Sequence, residues 1–276
     1  MEPVERFPPQ KRRTKRCLFL TVVAVLLLIV ILGIALGVGL YRSSETFKTT
    51  FMNRCEKFEG SDCEKIWTAF EQAYLGKDPC EVPMEAYDPL IAAAPFEPAC
   101  NRMMFWSKTK DVAHEFTAKK HCFTTLEDTL LGSVLNDLTW CGKEGSGETF
   151  TSGCPRWNDC DNNTVRSFWN RVSAAFAEVA CGDTTVMLNG SIATPFSLYS
   201  IFGSIEVKRF NPEKMRSLNV VLVTQQERNT TNCTNLSLKD LQKELREGIK
   251  YNCKEVSESQ IQECSSNPET PCGACW

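Results

Sequence analysis

A stretch of 25 residues, from Cys17 to Tyr41, carries no charged side chain. It is longer than the roughly 20 residues that a helix needs to cross a bilayer. It is also longer than the apolar part of a cleaved signal peptide, which is usually about 7–15 residues. Residues 17–41 are therefore predicted to be an uncleaved transmembrane signal-anchor, and this decides the compartment in which the rest of the chain folds.

The residues before this stretch predict its orientation. Residues 1–16 contain six Lys and Arg side chains against two Glu side chains, and the positive-inside rule keeps such a segment in the cytosol. The sequence therefore predicts a single-pass type II protein of the plasma membrane. Its parts are a cytoplasmic tail (1–16), the membrane segment (17–41), a stalk (42–54) and an extracellular domain (55–276).

The cysteines agree with an extracellular location. The chain has 15 cysteines, and all but Cys17 follow the uncharged stretch. Disulfides persist in that compartment and are rare in the cytosol. A zinc protein is the alternative, but neither of the two histidines, His114 and His121, stands in a Cys/His ligand spacing. We therefore expect a disulfide-stapled domain with no metal site, in which Cys272-Gly-Ala-Cys275 is structural rather than a redox centre.

The glycosylation sequons and the charge balance also agree with an extracellular location. Glycosylation is predicted at four Asn-x-Ser/Thr sites: Asn162, Asn189, Asn229 and Asn235. A fifth, Asn232, is followed directly by Cys233, so partial use at best is expected there. Beyond the membrane segment the chain has 25 basic and 32 acidic residues. This acidic balance argues against nucleic acid as a partner.

Four amphipathic helices can be predicted. The first follows a capping box at Ser61–Glu64 and stops near Gly76. Its residues at helical spacing are Ile66, Trp67, Phe70 and Tyr74. The second begins near Thr124 or Thr125 and continues to Leu138, the third runs from about Thr164 to Val179, and the fourth runs from Ser237 to Ile249.

Short β-favouring runs come later in the chain, at Thr184–Leu188, Ser204–Val207 and Asn219–Val223. At least 15 residues separate them, which suits crossover connections better than hairpins. The sequence therefore predicts an α+β or α/β fold with a helical part and a short parallel sheet.

Five segments together resemble one family. They are TLEDTLLG at 125–132, DLTWCG at 137–142, FAEVAC at 176–181, VMLNGS at 186–191 and FGSIEV at 202–207. The chain resembles the ADP-ribosyl cyclase / cyclic ADP-ribose hydrolase family, and most of all its type II lymphocyte-surface NAD glycohydrolase. The likeness covers nearly the whole extracellular domain. It implies two interleaved lobes, roughly 55–99 with 125–180 and 100–124 with 181–276.

The resemblance also implies roles for single residues. Glu206 corresponds to the family's catalytic carboxylate, and Trp106 and Trp169 correspond to the aromatic walls around the nicotinamide end of the substrate. Glu127 corresponds to the acid that sets hydrolysis against cyclisation. The residues implied to bind substrate are Ser173, Asp128, Lys108, Ser204, Phe202, Ile201 and Asn136.

Taken singly, these residues have ordinary interpretations. Trp106 and Trp169 alone would more often be core or interface residues. Glu127 alone would be a first-turn acid that favours the helix dipole, and Glu206 an ordinary acid at a strand end. Their joint occurrence within the family pattern favours the functional interpretation.

Three positions depart from the family pattern. Asn136 stands where an aspartate is usual, which bears on substrate positioning, while Asp137 is retained. Ile201 stands where mammalian members have threonine, and a bulky apolar residue there would shift the product ratio towards cyclisation. Lys108 replaces an arginine and so loses the bidentate fork for phosphates.

Six disulfides are implied by the resemblance: Cys55–Cys63, Cys80–Cys160, Cys100–Cys181, Cys141–Cys154, Cys233–Cys253 and Cys264–Cys272. Cys122 and Cys275 remain outside this set. They would pair with each other, bridge a homodimer or stay free.

The implied function is that of an ectoenzyme in calcium signalling. NAD is its substrate rather than a cofactor; it yields nicotinamide with ADP-ribose and cyclic ADP-ribose, and the latter is also hydrolysed. No metal is needed, since nicotinamide leaves as a neutral molecule. The alternative is a surface receptor or adhesion glycoprotein on the same fold with weak or no activity.

Overall fold

The computed structural model describes residues 22–23, 25–29, 46–97, 99–225 and 231–276. They fall into two units, Met1–Phe47 and Lys48–Trp276. In the first unit, residues 22–23 and 25–29 are helical and their apolar side chains are exposed. Within the described ranges no helix has the length and apolar character needed to span a bilayer.

Several predictions fall on other parts of the chain. The cytoplasmic tail (1–16), most of the membrane segment (17–41), residues 42–45 of the stalk and the sequon at Asn229 lie outside the described residues. The later part of the predicted stalk belongs instead to the second unit. There, residues 48–55 form helix α1, and Phe51 is fully buried with its ring 5.0 Å from that of Trp67.

The second unit is built on a four-stranded parallel sheet. Its strands are β1 (Met104–Ser107), β4 (Gly182–Asn189), β5 (Met215–Thr224) and β6 (Lys250–Ser257), in the order β1-β4-β5-β6. The central strands contain the apolar runs 186–188 and 220–223, all buried, as is usual for parallel strands covered on both faces. A separate antiparallel pair joins β2 (Cys141–Lys143) to β3 (Ser146–Phe150).

Seven further helices surround the strands: α2 (Cys63–Gln72), α3 (Asp88–Ala93), α4 (Lys110–Lys120), α5 (Leu130–Leu135), α6 (Thr164–Glu178), α7 (Leu236–Glu244) and α8 (Glu258–Ser266). Short 3-10 turns lie at Met84–Tyr87, Leu126–Asp128, Val207–Arg209 and Cys272–Ala274, and a π-helical turn at Phe202–Glu206. The predicted combination of helices with a parallel sheet and several disulfides is confirmed.

The two faces of the sheet carry different helices. Met104 of β1 belongs to a buried cluster with Phe116 of α4 and Ile261 of α8. The next residue, Phe105, instead packs 5.2 Å from the ring of Phe176 in α6. Because successive side chains of a strand point to opposite faces, α4 and α8 cover one face and α6 covers the other.

An aromatic cluster fills the helical part next to α6. The rings of Phe70, Tyr87, Trp140 and Phe168 lie 5.3–6.4 Å from one another, and all four residues are completely buried. Trp140 donates its indole N–H to the Tyr87 hydroxyl at 3.3 Å. The polar groups of these two side chains therefore have a hydrogen-bond partner inside the cluster.

The second helix was predicted to be continuous, and this prediction is wrong. A 3-10 turn at Leu126–Asp128 ends at Thr129, whose ψ of 165° is extended, and α5 begins after it. The Thr129 side chain caps the new helix by accepting from Gly132 N. A Cβ on Gly132 would lie 2.0 Å from the Leu126 carbonyl oxygen, so glycine permits the close fold-back that an amphipathic stripe does not reveal.

The strand predicted at Ser204–Val207 is also wrong, because these residues lie in the π-helical turn and the 3-10 turn after it. Ser204 N donates to Ser200 O at 2.8 Å, and Gly203 lies so close to Ser197 that a Cβ would meet its carbonyl oxygen at 2.2 Å. These local contacts outweigh the β preference of Ile205 and Val207. Single π turns occur often at functional sites.

The other boundaries differ by smaller amounts. Asp62, rather than Ser61, caps α2 by accepting from Lys65 N. The third helix matches its prediction to within one residue at Glu178. The fourth starts after Asn235 and ends at Glu244, so Ile249 lies outside it.

Seven disulfides staple the second unit: Cys55–Cys63, Cys80–Cys160, Cys100–Cys181, Cys122–Cys272, Cys141–Cys154, Cys233–Cys253 and Cys264–Cys275. Five are the pairs implied by the resemblance. The implied Cys264–Cys272 pair is wrong, and Cys122 and Cys275 neither join each other nor stay free.

The packing of the C-terminal residues accounts for this exchange. The ring of Trp276 lies 5.0 Å from that of Phe116 and 5.6 Å from that of Phe123, which brings the tail onto the end of α4 beside Cys122. Cys272 and Cys275 are three residues apart on one turn, so spacing alone does not tell which of them meets Cys264. Neither Cys122 nor Cys275 is left to bridge a homodimer.

Candidate active site

A cavity of about 510 Å³ opens where β1 ends and α6 passes beside the π-helical turn. Its lining residues are Phe105, Trp106, Ser107, Lys108, Lys110, Leu126, Glu127, Asn136, Asp137, Leu138, Thr139, Trp157, Val165, Trp169, Ser173, Ile201, Phe202 and Glu206. Segments far apart in the chain therefore meet in one place. Nine of the eleven residues predicted to act on or bind substrate are among them.

Glu206 lies at the end of the π-helical turn and is only 7% exposed. Burial raises the pKa of its carboxyl to about 8; the Ser173 hydroxyl opposes this rise and the negative charge of Glu127 adds to it. Without a ligand the group therefore holds a proton at neutral pH. A cation placed beside it would favour the charged form.

Glu127 is held by two nitrogens. The indole Nε1 of Trp106 donates to its Oε2 at 3.1 Å, and Nε2 of His114 lies 3.2 Å from the same oxygen. Burial raises the pKa of this carboxyl, but the contacts with His114 and Trp106 outweigh it and hold the pKa below its ordinary value. Of these two acids, Glu127 is thus the charged carboxylate and Glu206 the protonated carboxyl group.

Aromatic rings form the walls. Trp106 comes from β1 and Trp169 from α6. The ring of Trp169 stands edge-on to that of the buried Phe168, with 5.2 Å between the ring centres. A third tryptophan, Trp157, is 39% exposed at the cavity. Flat apolar walls of this kind hold a planar ring and exclude water.

The rim of the cavity is held by strained backbone, an ion pair and a hydrogen bond. Lys108 has φ of 58° and Asp137 has φ of 59°, both in the left-handed region. Lys110 Nζ lies 2.7 Å from Asp137 Oδ1, and Nη1 of Arg54 donates to the Asn136 carbonyl at 2.7 Å. Such conformations concentrate at functional sites, where surrounding contacts hold them.

Two predicted residues do not line the cavity. The Asp128 carboxylate accepts from both the backbone N and the hydroxyl of Thr125 at 2.8 Å, so it closes the capping box of its own turn. The Ser204 hydroxyl is exposed and donates to the Ser200 carbonyl at 2.7 Å. Both residues stabilise turns that carry site residues.

Sequence reasoning missed three residues here: Lys110, His114 and Trp157. Lys110 and His114 are four residues apart, so they lie on the same face of α4. This spacing, with an acidic segment later in the chain, is a sequence signal that could have indicated their contacts. Trp157 sits in an irregular stretch after Cys154, and the sequence gives no signal for its exposure at the cavity.

Comparison with known proteins decides the family. A family model described as ADP-ribosyl cyclase matches residues 44–273. The chain belongs to the ADP-ribosyl cyclase family. The ADP-ribosyl cyclase/cyclic ADP-ribose hydrolase 1 of rat is 37% identical over 214 residues, 76% of this chain and 71% of the rat protein. The ADP-ribosyl cyclase/cyclic ADP-ribose hydrolase of Aplysia californica is 30% identical over 236 residues, 80% and 84% of the two chains.

Solved ADP-ribosyl cyclase structures have the same fold. Porcine CD38 complexed with a covalent intermediate, ribo-F-ribose-5'-phosphate, gives a TM-score of 0.72 at 38% identity, covering 76% of this chain and 96% of the porcine chain. Aplysia cyclase complexed with the substrate NGD and the product cGDPR gives 0.73 at 28% identity, covering 83% and 96%. The family recognised from the five sequence segments is confirmed.

Proposed function

We propose that this chain cleaves NAD to nicotinamide with ADP-ribose and cyclic ADP-ribose, and also hydrolyses cyclic ADP-ribose. The observation that carries the proposal is the buried carboxyl group of Glu206 in a cavity that Trp106 and Trp169 also line. Its relatives are named for both the cyclase and the hydrolase reaction, and one was solved with a covalent intermediate.

The reaction suits this geometry. The scissile bond joins ribose to a pyridinium cation, so nicotinamide leaves as a neutral molecule and needs no acid. As it leaves, positive charge develops on the ribose carbon, and the carboxylate of Glu206 stabilises that charge or forms a bond to the carbon. The Ser173 hydroxyl steadies the carboxylate. The substrate cation itself favours loss of the proton that Glu206 holds in the free enzyme.

The attacking group then determines the product. Water gives ADP-ribose, and the adenine N1 of the same molecule gives cyclic ADP-ribose. Glu127 sets this balance, and Ile201 restricts water with a bulky apolar side chain. Asn136 at the rim contributes hydrogen bonding without charge. A closed, aromatic-walled site that folds the substrate favours cyclisation.

Charge at the rim suits the diphosphate of NAD. Lys108 and Lys110 both line the cavity, and Lys110 is paired with Asp137. Lys108 therefore supplies the less compensated positive charge and acts as a point charge rather than a bidentate fork.

The enzyme works outside the cell, anchored by residues 17–41 as a type II protein of the plasma membrane. The run of uncharged residues, the basic tail before it and the disulfides after it support this topology. Asn162 and Asn232 are exposed sequons, whereas the side-chain nitrogens of Asn189 and Asn235 donate to the carbonyls of Lys108 and Ala193. Calcium signalling through cyclic ADP-ribose is the corresponding cellular role.

Product analysis tests the activity. The purified full chain is incubated with NAD, and nicotinamide, ADP-ribose and cyclic ADP-ribose are separated by chromatography. We expect all three products, with a measurable cyclic fraction. A folded chain that releases no nicotinamide would refute the enzymatic function and favour a receptor on the same fold, and turnover of an NAD analogue by intact cells would show the same distinction in place.

The acid–base state of Glu206 predicts a pH profile. Because the free-enzyme pKa is about 8 and the charged form reacts, kcat/KM for NAD should rise with pH to a midpoint near that value. Ser173→Ala removes an interaction that lowers this pKa and should move the midpoint up; Glu127→Gln removes a charge that raises it and should move the midpoint down. Initial rates over a pH series measure all three. Midpoints that do not move, or that move the other way, would contradict this electrostatic account.

A further inference from the structure

Helix α4 presents two nitrogen-bearing side chains to the same segment. Lys110 and His114 are one helical turn apart, and they meet Asp137 and Glu127 respectively. These two acids lie on either side of α5. The face of α4 that carries Lys110 and His114 therefore fixes both ends of the segment that supplies Glu127 to the cavity.

The contact between His114 and Glu127 is buried and close. Nε2 of His114 lies 3.2 Å from Glu127 Oε2, but without the alignment of a directed N–H···O hydrogen bond. The ring also stands perpendicular to Trp106 at 5.6 Å, and Trp106 donates to the same oxygen. His114 and Trp106 therefore both hold the same carboxylate oxygen of Glu127.

We propose that His114 is a positioning residue that holds Glu127 in the orientation that sets cyclisation against hydrolysis, so that the product ratio depends on this side chain. The inference rests on the proposed role of Glu127 and names what controls it. Both products come from one intermediate. A group that forms the intermediate therefore changes the total rate, while a group that orients Glu127 changes the ratio.

The charge of Glu127 agrees with this role. Burial raises the pKa of its carboxyl, but the contacts with His114 and Trp106 outweigh burial and lower it. The neighbouring Asp137 bonds to Lys110 instead, and the contact of α8 with α4 is apolar, through Ile261 against Ala113 and Phe116. His114 is therefore the α4 side chain that meets Glu127.

The test measures the ratio of cyclic ADP-ribose to ADP-ribose formed from NAD by the full chain. His114→Asn should change this ratio by about twofold or more from that of the wild type, in the same direction as Glu127→Gln. His114→Gln, which keeps more of the side-chain volume, should behave alike and guards against a folding defect in the first variant.

The other histidine provides a matched control. His121 is exposed at the left-handed end of α4, a conformation that asparagine tolerates. His121→Asn should keep the product ratio of the wild type. The pair His114→Asn with Glu127→Gln should give the ratio of Glu127→Gln alone, because the histidine then has no carboxylate to hold.

Two different failures can be told apart. If Glu127→Gln leaves the ratio unchanged, the proposed role of Glu127 is wrong. If Glu127→Gln changes the ratio but both His114 variants keep the ratio of the wild type, the inference about His114 is overturned and the function of Glu127 stands.

Discussion

Replacing Glu206 by glutamine should reduce NAD cleavage by about 10³-fold or more, since the carboxyl group proposed to meet the developing charge is lost. Glutamine has nearly the same shape, so the fold and the aromatic walls should remain. The formation of ADP-ribose and cyclic ADP-ribose should fall together, because both depend on the same intermediate. Steady-state release of nicotinamide by the purified full chain measures the loss.

A matched control is available nearby. Glu213→Gln makes the same chemical change at an exposed position seven residues later, and it should leave the rate within about twofold of the wild type, as is usual for surface substitutions. Retention of more than a tenth of the activity by Glu206→Gln would show that another group stabilises the transition state.

Glu206→Gln should also make the protein more stable at high pH. The pKa of Glu206 is about 8 in the folded chain, above the value of about 4.3 for an exposed glutamate in the unfolded chain. The stability that comes from the protonated carboxyl is thus fully present below about pH 4.3 and is lost as the pH rises through about 8. Glutamine carries no titrating proton and keeps that stability.

Glu206→Gln should therefore raise the free energy of unfolding relative to wild type by an amount that grows with pH, towards about 5 kcal/mol at the upper end. Urea unfolding with the disulfides intact, at about pH 5 and about pH 8, measures the difference. Equal stability differences at the two pH values would mean that the carboxyl group is not buried in a protonated form. A gain at high pH together with lost turnover is the trade-off between stability and function expected of a catalytic group.

The sequence predicted the site better than the elements that build it. Glu206, Glu127, Trp106 and Trp169 were predicted through the family segments around them, and all four meet in one cavity. The backbone carrying the first two was predicted wrongly. Periodicity and propensity describe regular elements, and they do not describe a π turn or a helix broken at Thr129.

The contributions of α4 could not be predicted for a different reason. His114 and Lys110 act on partners 13 and 27 residues away in the chain, Glu127 and Asp137. These pairs form only once α4 has packed on the sheet beside the segment 126–137. Long-range contacts of this kind are set by tertiary structure, so a local pattern suggests the face of the helix and not its partner.

The spacing of the disulfides bears on how the protein is made. Three bridges, Cys80–Cys160, Cys100–Cys181 and Cys122–Cys272, join residues 80, 81 and 150 positions apart, and the last cannot close until the C-terminal residues have been synthesised. Fourteen cysteines allow on the order of 10⁵ pairings, so spontaneous oxidation of the released chain would mostly give scrambled isomers. Secretory expression with disulfide isomerase, rather than refolding from bacterial inclusion bodies, is the production route that this topology favours.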